Sequence, residues 1–277
     1  MMTEMSRRIA DMQGLLQRMD GVVVAFSGGV DSTLVAAVAA RALGPRALAV
    51  TGVSASLAPG ELDGARRIAS SVGIVHRTVR TDELMRPGYV ENGADRCYHC
   101  KTELYDVLGK LAAQEGLPVV ASGANVDDLG DVRPGLRAAK EHGVRHPLVE
   151  SGFTKRDVRT AARELDIPTW DKPASACLSS RIAFGQRVTV GELTRVGRAE
   201  RLLKELGFRQ CRVRVHGELA RIEVDREAVS RLADPGVRER IATEFRALGY
   251  GYVTVDLEGF RSGSMHTTAD GPRDIGA

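Results

Sequence analysis

A short glycine-rich segment near the start of the chain has the composition of a phosphate-binding loop. Its sequence, SGGVDS at residues 27–32, follows the apolar run VVVAF at residues 22–26, which predicts a strand, a tight turn and a helix. Glycines let the backbone approach an anion closely, and the N–H groups of the turn and of the helix N-terminus point at it. Ser27 and Ser32 add hydroxyl donors, and the carboxylate of Asp31 could hold Mg²⁺. Because the spacing is not that of a Walker loop, a phosphate site of another kind is predicted.

Three of the four cysteines stand where a thiolate could do chemistry. Cys97 and Cys100 form a C-x-x-C pair, which is typical of half a zinc site, a redox dithiol or two cluster ligands. Cys177 lies among small residues in a segment that is predicted to be an exposed loop, where a thiolate could act as a nucleophile or a metal ligand. The alternative for Cys177 is a small buried thiol, and this is the favoured interpretation of Cys211, which lies in an alternating strand.

Acidic and basic residues gather in two further places. Asp127, Asp128 and Asp131 follow the apolar run at 118–122 and are candidates for binding Mg²⁺, with a solvated turn as the alternative. Nearby Arg133 has a guanidinium group, which suits phosphate.

Near the C-terminus, alternate positions of two strands carry charge: Arg212, Arg214 and His216 on one, and Arg221, Glu223 and Asp225 on the next. These could form a pocket for an anionic substrate, or pair across a solvated sheet face. The segment from Arg261 to Ser264 could also cradle a phosphate.

The hydrophobic pattern indicates the elements that must position these residues. Up to about residue 185, strands at 22–26, 47–52, 75–79 and 118–122 alternate with helices at 4–19, 31–43, 59–73, 101–115 and 154–165. This alternation predicts an α/β fold with a doubly wound parallel sheet, whose ligand lies at the carboxyl ends of the strands. The segment 81–96 has no clear period and is predicted to be an active-site loop.

A smaller α+β domain is predicted to follow. Its expected strands are 211–216, 221–225 and 252–256, each with one solvated face, and its expected helices are 191–206, 226–233 and 236–247. The domains are therefore expected at 1–185 and 186–266, followed by a disordered tail at 267–277.

Composition excludes several classes of protein. The 277 residues can bury a good core, and a net charge of +3 gives no strong field that demands nucleic acid or a membrane. No apolar run approaches the roughly 18 residues of a membrane span. Four cysteines in a chain of this length do not make a disulfide framework, so a cytoplasmic location is expected.

Taken together, the motifs resemble the LarE family. These are sulfur transferases of the PP-loop ATP pyrophosphatase superfamily that help to make the nickel-pincer nucleotide cofactor of lactate racemase. The resemblance runs over residues 15–265 and rests on SGGVDS at 27–32, RCYHCKTELY at 96–105, SGANVDDLGDVRPG at 122–135, KPASACLSSRI at 172–182, VRVHGELARIEV at 213–224 and GFRSGSM at 259–265. It implies an adenine nucleotide alpha hydrolase-like fold for the larger domain.

The resemblance also implies a reaction. ATP would adenylylate one carboxylate of a pyridinium dicarboxylate mononucleotide, with Mg²⁺ at Asp31, and a sulfur nucleophile would then displace AMP to leave a thiocarboxylate. The residues expected to bind nucleotide or substrate are Ser27, Gly28, Gly29, Asp31, Ser32, Ser54, Lys101, Gly123, Asp128, Arg133, Arg181, Arg212 and Arg214.

Two sources of sulfur are open within this family. In one branch three cysteines hold a [4Fe-4S] cluster that carries an extra sulfide, and in the other a single cysteine gives up its own sulfur and becomes dehydroalanine. Cys97, Cys100 and Cys177 together favour the cluster, because a single-cysteine donor needs only Cys177.

Other activities remain as alternatives: a tRNA thiolase, an amide-forming PP-loop synthetase, or a nucleotide-binding protein without turnover. A small-molecule substrate is expected, with no nucleic acid and no membrane as partner. The family resemblance also implies a homo-oligomer, trimeric or hexameric, that works with the enzymes of the same cofactor pathway.

Overall fold

The computed structural model describes residues 3–130, 134–173 and 175–261. The helices are α1 (Glu4–Gln17), α2 (Val30–Leu43), α3 (Glu61–Val72), α4 (Pro87–Val90), α5 (Arg96–Gln114), α6 (Pro134–Glu141), α7 (Pro147–Glu150), α8 (Lys155–Glu164), α9 (Val190–Glu205) and α10 (Pro235–Ala247). The strands are β1 (Val22–Ala25), β2 (Ala47–Val53), β3 (Val75–Arg80), β4 (Val119–Ala121), β5 (Cys211–His216), β6 (Leu219–Val224) and β7 (Tyr252–Val255). In the described part of the chain, no helix has the length and hydrophobicity needed to cross a membrane.

The chain divides into two compact units that are not continuous in sequence. The first unit runs to Ser54 and then comprises Gly60–Tyr89 and Asp95–Ser175. The second takes the two short segments Ala55–Pro59 and Val90–Ala94, and the chain from Ala176 onward. The boundary expected after residue 185 therefore lies inside the second unit.

The sheet of the first unit is parallel and doubly wound, as predicted. Its strand order is β3-β2-β1-β4, and the register places Val22 beside both Ala47 of β2 and Val119 of β4. β1 is parallel to both of its neighbours, β2 and β4, so crossover connections must join them. This confirms the parallel sheet predicted from the alternation of strands and helices in the sequence.

Helices cover both faces of this sheet. Val22 and Val24 pack with α2 on one face, whereas Val23 packs with Leu108 of α5 on the other. Successive residues of a strand point to opposite faces, so β1 is apolar at every position because it is buried on both sides. The central position of β1 fixes the turn that follows it at the carboxyl edge of the sheet.

The sheet of the second unit is small and mixed. Its strand order is β5-β6-β7, with β5 antiparallel to β6 and β6 parallel to β7. The parallel step requires a crossover, which α10 provides between β6 and β7. The predicted α+β character of this part is therefore confirmed. The tail at 267–277 lies outside the described residues.

Several predicted boundaries differ from those observed. Helix α5 starts at Arg96 rather than at 101, and part of the predicted loop at 81–96 forms α4. Within this first part of α5 the ring of His99 fills the space beside Gly88, where an added Cβ would lie 2.1 Å from Nε2. The C-x-x-C pair stands on a helix and not in a loop.

Candidate active site

The segment at residues 27–32, called the phosphate loop below, has the predicted strand–turn–helix form between β1 and α2. Gly28 adopts a left-handed φ of 68°, and a Cβ at this position would lie 3.1 Å from the backbone of Ala65. Gly29 is the N-cap of α2 and offers no side chain to its N–H groups. The Oγ atoms of Ser27 and Ser32 lie 3.2 Å apart across the turn. The loop therefore presents two hydroxyls and the N-terminus of a helix, a combination that suits an anion.

Asp31 at the start of α2 is held between two side chains from distant parts of the first unit. Lys155 Nζ contacts its Oδ2, and Asn125 Nδ2 donates to its Oδ1 at 3.1 Å. Lys155 is itself placed by Asp127, whose Oδ2 accepts the Lys155 backbone N–H at 2.8 Å. Mg²⁺ commonly takes one or two carboxylates together with phosphates and waters, so Asp31 supplies the type of donor that this ion requires.

The loop after β4 packs directly against the phosphate loop. A Cβ at Gly123 would lie 2.6 Å from the backbone N of Ser32, so only glycine fits at this contact. Asp128 accepts a hydrogen bond from the backbone N–H of Asn125 at 3.0 Å and thereby shapes the same loop. Asp131 and Arg133 lie outside the described residues.

A second lysine, Lys172, contacts the backbone of the phosphate loop. Lys172 Nζ donates to the carbonyl oxygen of Gly28 at 3.2 Å and lies 3.2 Å from Glu61 Oε2. Neither Lys155 nor Lys172 is among the residues that the sequence predicted to bind nucleotide or substrate. No local signal marks Lys155, whereas Lys172 stands within the motif around Cys177.

Other predicted ligands of the first unit lie close to strand ends or on α5. Ser54 follows β2 and its Oγ donates to Oε1 of the buried Glu83 at 2.5 Å. Lys101 packs its side chain against Gly135, and its Nζ lies 5.9 Å from the ring centre of Tyr105. Their roles in binding stay predictions.

Cys97 and Cys100 lie near the N-terminus of α5, three residues apart on one side of the helix. Cys97 is exposed and Cys100 is partly exposed. The two residues between them are engaged elsewhere. Tyr98 Oη donates to Glu141 at 2.6 Å, and His99 Nε2 lies 3.2 Å from Asp95 Oδ2. The pair therefore presents two thiols at a helix N-terminus, whose dipole favours anionic ligands.

Cys177 belongs to the second unit and is partly exposed. It is the N-cap of a short 3₁₀ helix formed by Leu178–Arg181. Arg181 is only 1% exposed and pairs with Glu200 at 2.8 Å. Its guanidinium also donates to the carbonyl oxygen of Cys177 at 2.9 Å. The contacts of Arg181 thus hold the protein's own backbone, and its expected role as a nucleotide or substrate ligand stays a prediction.

The charged strands of the second unit differ from the prediction. A solvated face was expected, but Arg214 and Glu223 are buried and form an ion pair at 2.9 Å. Arg221 lies 3.2 Å from the same carboxylate. Two guanidinium groups stabilise the buried charge of Glu223, so this side of the sheet is an internal charge cluster.

Arg212 lies on the same strand but is half-buried, with its guanidinium 5.2 Å from the ring centre of Phe260. Burial, followed by the charge of Arg181, lowers the pKa of Arg212. Burial also lowers the pKa of His216. Arg261 lies 3.2 Å from Asp256, and residues 262–264 lie outside the described part.

Cys211 is a core thiol, as predicted. It is fully buried, its Sγ lies 3.7 Å from the carbonyl oxygen of Glu200, and burial raises its pKa to about 12. All four cysteines lie in the described part of the chain, and none forms a disulfide. Across residues 3–130, 134–173 and 175–261, no group of three or more His, Cys, Asp or Glu side chains could hold a metal ion.

Comparisons with known proteins agree with a nucleotide-using fold. The family described as asparagine synthase matches residues 16–100. The chain is 38% identical, over 96% of both sequences, to the pyridinium-3,5-bisthiocarboxylic acid mononucleotide synthase of Lactiplantibacillus plantarum. It is 45% identical to an uncharacterized protein of Synechocystis sp. over 94% of this chain and 97% of that protein. A tRNA-specific 2-thiouridylase of Azorhizobium caulinodans is 33% identical over 56% of this chain and 49% of its own length. The first two of these relatives match nearly end to end, and the thiouridylase matches about half.

Proposed function

This chain belongs to the LarE family of PP-loop ATP pyrophosphatases, and on that premise we propose that it converts a carboxylate of a pyridinium dicarboxylate mononucleotide into a thiocarboxylate. The observation that carries the proposal is the phosphate loop at residues 27–32, with Asp31 held by Lys155 and Lys172 bound to the loop backbone. The family is one of sulfurtransferase enzymes that use ATP. The substrate and the place of the product in nickel-pincer nucleotide synthesis belong to the proposal.

In the first half-reaction a carboxylate oxygen of the substrate attacks the α-phosphorus of ATP. A new O–P bond forms, the bond between the α-phosphorus and its bridging oxygen breaks, and pyrophosphate leaves with the electron pair. The N–H groups at the start of α2 and the hydroxyls of Ser27 and Ser32 would bind the departing pyrophosphate. Mg²⁺ at Asp31 would neutralise phosphate charge, and the two lysines supply further cations.

In the second half-reaction a sulfur nucleophile attacks the activated acyl carbon, and AMP leaves with the electrons of the C–O bond. We favour a [4Fe-4S] cluster on Cys97, Cys100 and Cys177, which would supply an exchangeable sulfide at its fourth iron. The three thiols are donors of the kind that such a cluster uses, and two of them lie three residues apart on one helix, but among the described residues they do not form one metal-binding group. The arrangement of the three around a metal is part of the proposal.

The alternative donor is Cys177 itself. Its Sγ would bond to the acyl carbon, a base would then take the α-proton of Cys177, and the Cβ–Sγ bond would break to leave dehydroalanine. In this case Cys97 and Cys100 have no part in the transfer.

Anaerobic reconstitution with iron and sulfide separates the two donors. We expect broad visible absorbance and bound iron in the wild type, a loss of both in Cys97→Ser and Cys177→Ser, and no change in Cys211→Ser, whose thiol is buried in the core. A wild-type protein that binds ATP and stays colourless refutes the cluster. Intact-protein mass spectrometry after one turnover then reports the alternative, as a loss of H₂S at Cys177.

A tRNA thiolase is the second candidate, supported by the partial match to a tRNA-specific 2-thiouridylase. The net charge of +3 and the aromatic content of 4% argue against it, because RNA binding draws on basic patches and stacking platforms. Thiolation of tRNA by the purified protein, without thiolation of the mononucleotide, would favour this activity. The expected homo-oligomer and cytoplasmic location stay predictions.

A further inference from the structure

A short segment of the second unit, residues 90–94, is bound along the chain that follows Cys177. Asn92 is fully buried, and its side-chain amide donates to the carbonyl oxygens of Ala183 at 2.8 Å and Gln186 at 2.9 Å. Its own carbonyl oxygen accepts the N–H of Gly185 at 3.1 Å, and that of Val90 accepts the N–H of Val188 at 2.9 Å. A longer contact of 3.4 Å joins the Asn92 amide to the carbonyl oxygen of Ile182, so the segment holds the chain that follows Cys177 by several hydrogen bonds.

Asparagine suits this position for two reasons. The backbone of Asn92 has a φ of 59°, in the left-handed region where asparagine is several-fold enriched over most other residues with side chains. Its NH₂ group has two hydrogens, and the two shorter contacts use both of them. Glycine could take the backbone conformation but would leave the partly buried carbonyl oxygens of Ala183 and Gln186 without these donors.

The hydrogen bonds that hold the chain at Cys177 are made to its backbone. The N–H of Leu178 donates to the carbonyl oxygen of Ser56 at 2.9 Å. The carbonyl oxygen of Cys177 accepts from Arg181 at 2.9 Å and from Ser180 Oγ at 2.8 Å. The chain that follows Cys177 is therefore held at two places, at Leu178 and at residues 183–188, by the two short segments that the second unit takes from earlier in the chain.

We propose that Asn92 is a positioning residue for Cys177 in sulfur transfer, a role that rests on the proposed function. Asn92 stands five residues before Cys97 in the sequence, so the segment that holds the Cys177 loop leads directly into the helix with the cysteine pair. A displacement of a reacting group by about 1 Å can cost on the order of 100-fold in rate. Loss of the Asn92 amide would let the Cys177 loop shift without altering the phosphate loop, which lies in the other unit.

The test compares the two half-reactions in Asn92→Gly, which keeps the left-handed backbone and removes the two donors. We expect thiocarboxylate formation to fall about 10- to 100-fold, while pyrophosphate release stays within about twofold of wild type. Asp166→Gly is the matched control, because Asp166 also has a left-handed φ, of 55°, but is exposed. The control should leave both half-reactions unchanged.

A second readout does not depend on activity. Alkylation by iodoacetamide, followed by peptide mass spectrometry, should show a changed rate constant for Cys177 in Asn92→Gly and an unchanged one for Cys97. If Asn92→Gly fails to fold, Asn92→Asp replaces it, since aspartate keeps the shape of the side chain and tolerates the left-handed backbone but has no N–H group to donate to Ala183 and Gln186.

Equal losses in both half-reactions, or unchanged thiocarboxylate formation, overturn the positioning role. A wild-type protein that forms no thiocarboxylate refutes the proposed function instead. For such a protein the alkylation experiment still tests Asn92: an unchanged alkylation rate of Cys177 in Asn92→Gly refutes the positioning of the Cys177 loop by Asn92.

Discussion

Replacement of Gly123 by alanine tests whether the loop after β4 is built against the phosphate loop. The added Cβ would lie 2.6 Å from the backbone N of Ser32, 2.9 Å from its Cα and 3.0 Å from the carbonyl carbon of Asp31. These are backbone atoms of the first turn of α2, so no side-chain rotation can relieve the overlap. The loop or the helix start must move by several tenths of an ångström.

The expected cost follows from two opposing terms. Overpacking costs about 1–3 kcal/mol, and the reduced freedom of the unfolded chain returns about 0.4–1 kcal/mol. We therefore expect Gly123→Ala to destabilise the first unit by about 1–2 kcal/mol. Gly109→Ala is the matched control, because Gly109 lies within α5 and a Cβ there meets nothing within 4 Å. This change should stabilise the helix by about 0.5–1 kcal/mol.

Urea unfolding followed by tryptophan fluorescence measures both variants. The single tryptophan, Trp170, lies in the first unit and so reports on the unit that carries both glycines. A displaced Ser32 N–H also weakens a hydrogen bond to a charged phosphate, worth about 1.5–3 kcal/mol. This predicts a rise in KM for ATP of about 10- to 100-fold in Gly123→Ala and none in Gly109→Ala. If Gly123→Ala is as stable as Gly109→Ala and uses ATP normally, the close packing of the two loops is refuted.

Further substitutions test single features of the two units. Asp31→Ala should abolish pyrophosphate release, because it removes the carboxylate proposed for Mg²⁺; full release would refute that site. Lys155→Met should raise KM for ATP at least about 10-fold. Lys110 is exposed on α5, so Lys110→Met should leave KM unchanged. Equal effects of the two changes would exclude a specific role of Lys155 in binding ATP. Arg181→Met should lower the free energy of unfolding by about 3–5 kcal/mol, because it leaves the buried Glu200 unpaired. Arg66→Met removes an exposed pair with Asp63 and should lower it by less than about 1 kcal/mol. Urea unfolding followed by circular dichroism measures both variants, and equal losses would contradict the buried pair. Burial lowers the pKa of His146, whose Nδ1 lies 2.8 Å from Ser122 Oγ, so the unfolded chain binds the proton more readily and stability is lost as pH falls below about 6.5. His146→Gln should lose less stability than wild type between pH 7 and pH 5, and an equal or greater loss would contradict this assignment.

Local patterns in the sequence predicted the elements that depend on local chemistry. The apolar run before residue 27 is the central strand, because a strand buried on both faces is apolar throughout. The helix predicted at 154–165 is α8, which begins at a capping box formed by Thr154 and Asp157 within one turn. Cys211 is a core thiol, as predicted from its place in a strand where apolar and charged residues alternate.

The start of α5 and the state of the charged strands could not be predicted in the same way. The C-x-x-C pair has no strong helix signal, and the packing of His99 beside Gly88, which lies eleven residues earlier, leaves no local pattern in the sequence. Arg214 and Glu223 alternate like residues of a solvated face, yet they are buried because each neutralises the other in the interior.

By itself, the sequence determined the phosphate loop, the parallel sheet that carries it and the cysteines available for sulfur transfer, since these depend on residue types at short spacing. Only the tertiary structure decided that Lys155 contacts Asp31 and that Asn92 holds the chain after Cys177. These partners are separated by 124 and 91 residues. Contacts between residues so far apart in the sequence depend on the order of the strands and on the two short segments that join the second unit from earlier in the chain. No local pattern in the sequence indicates them.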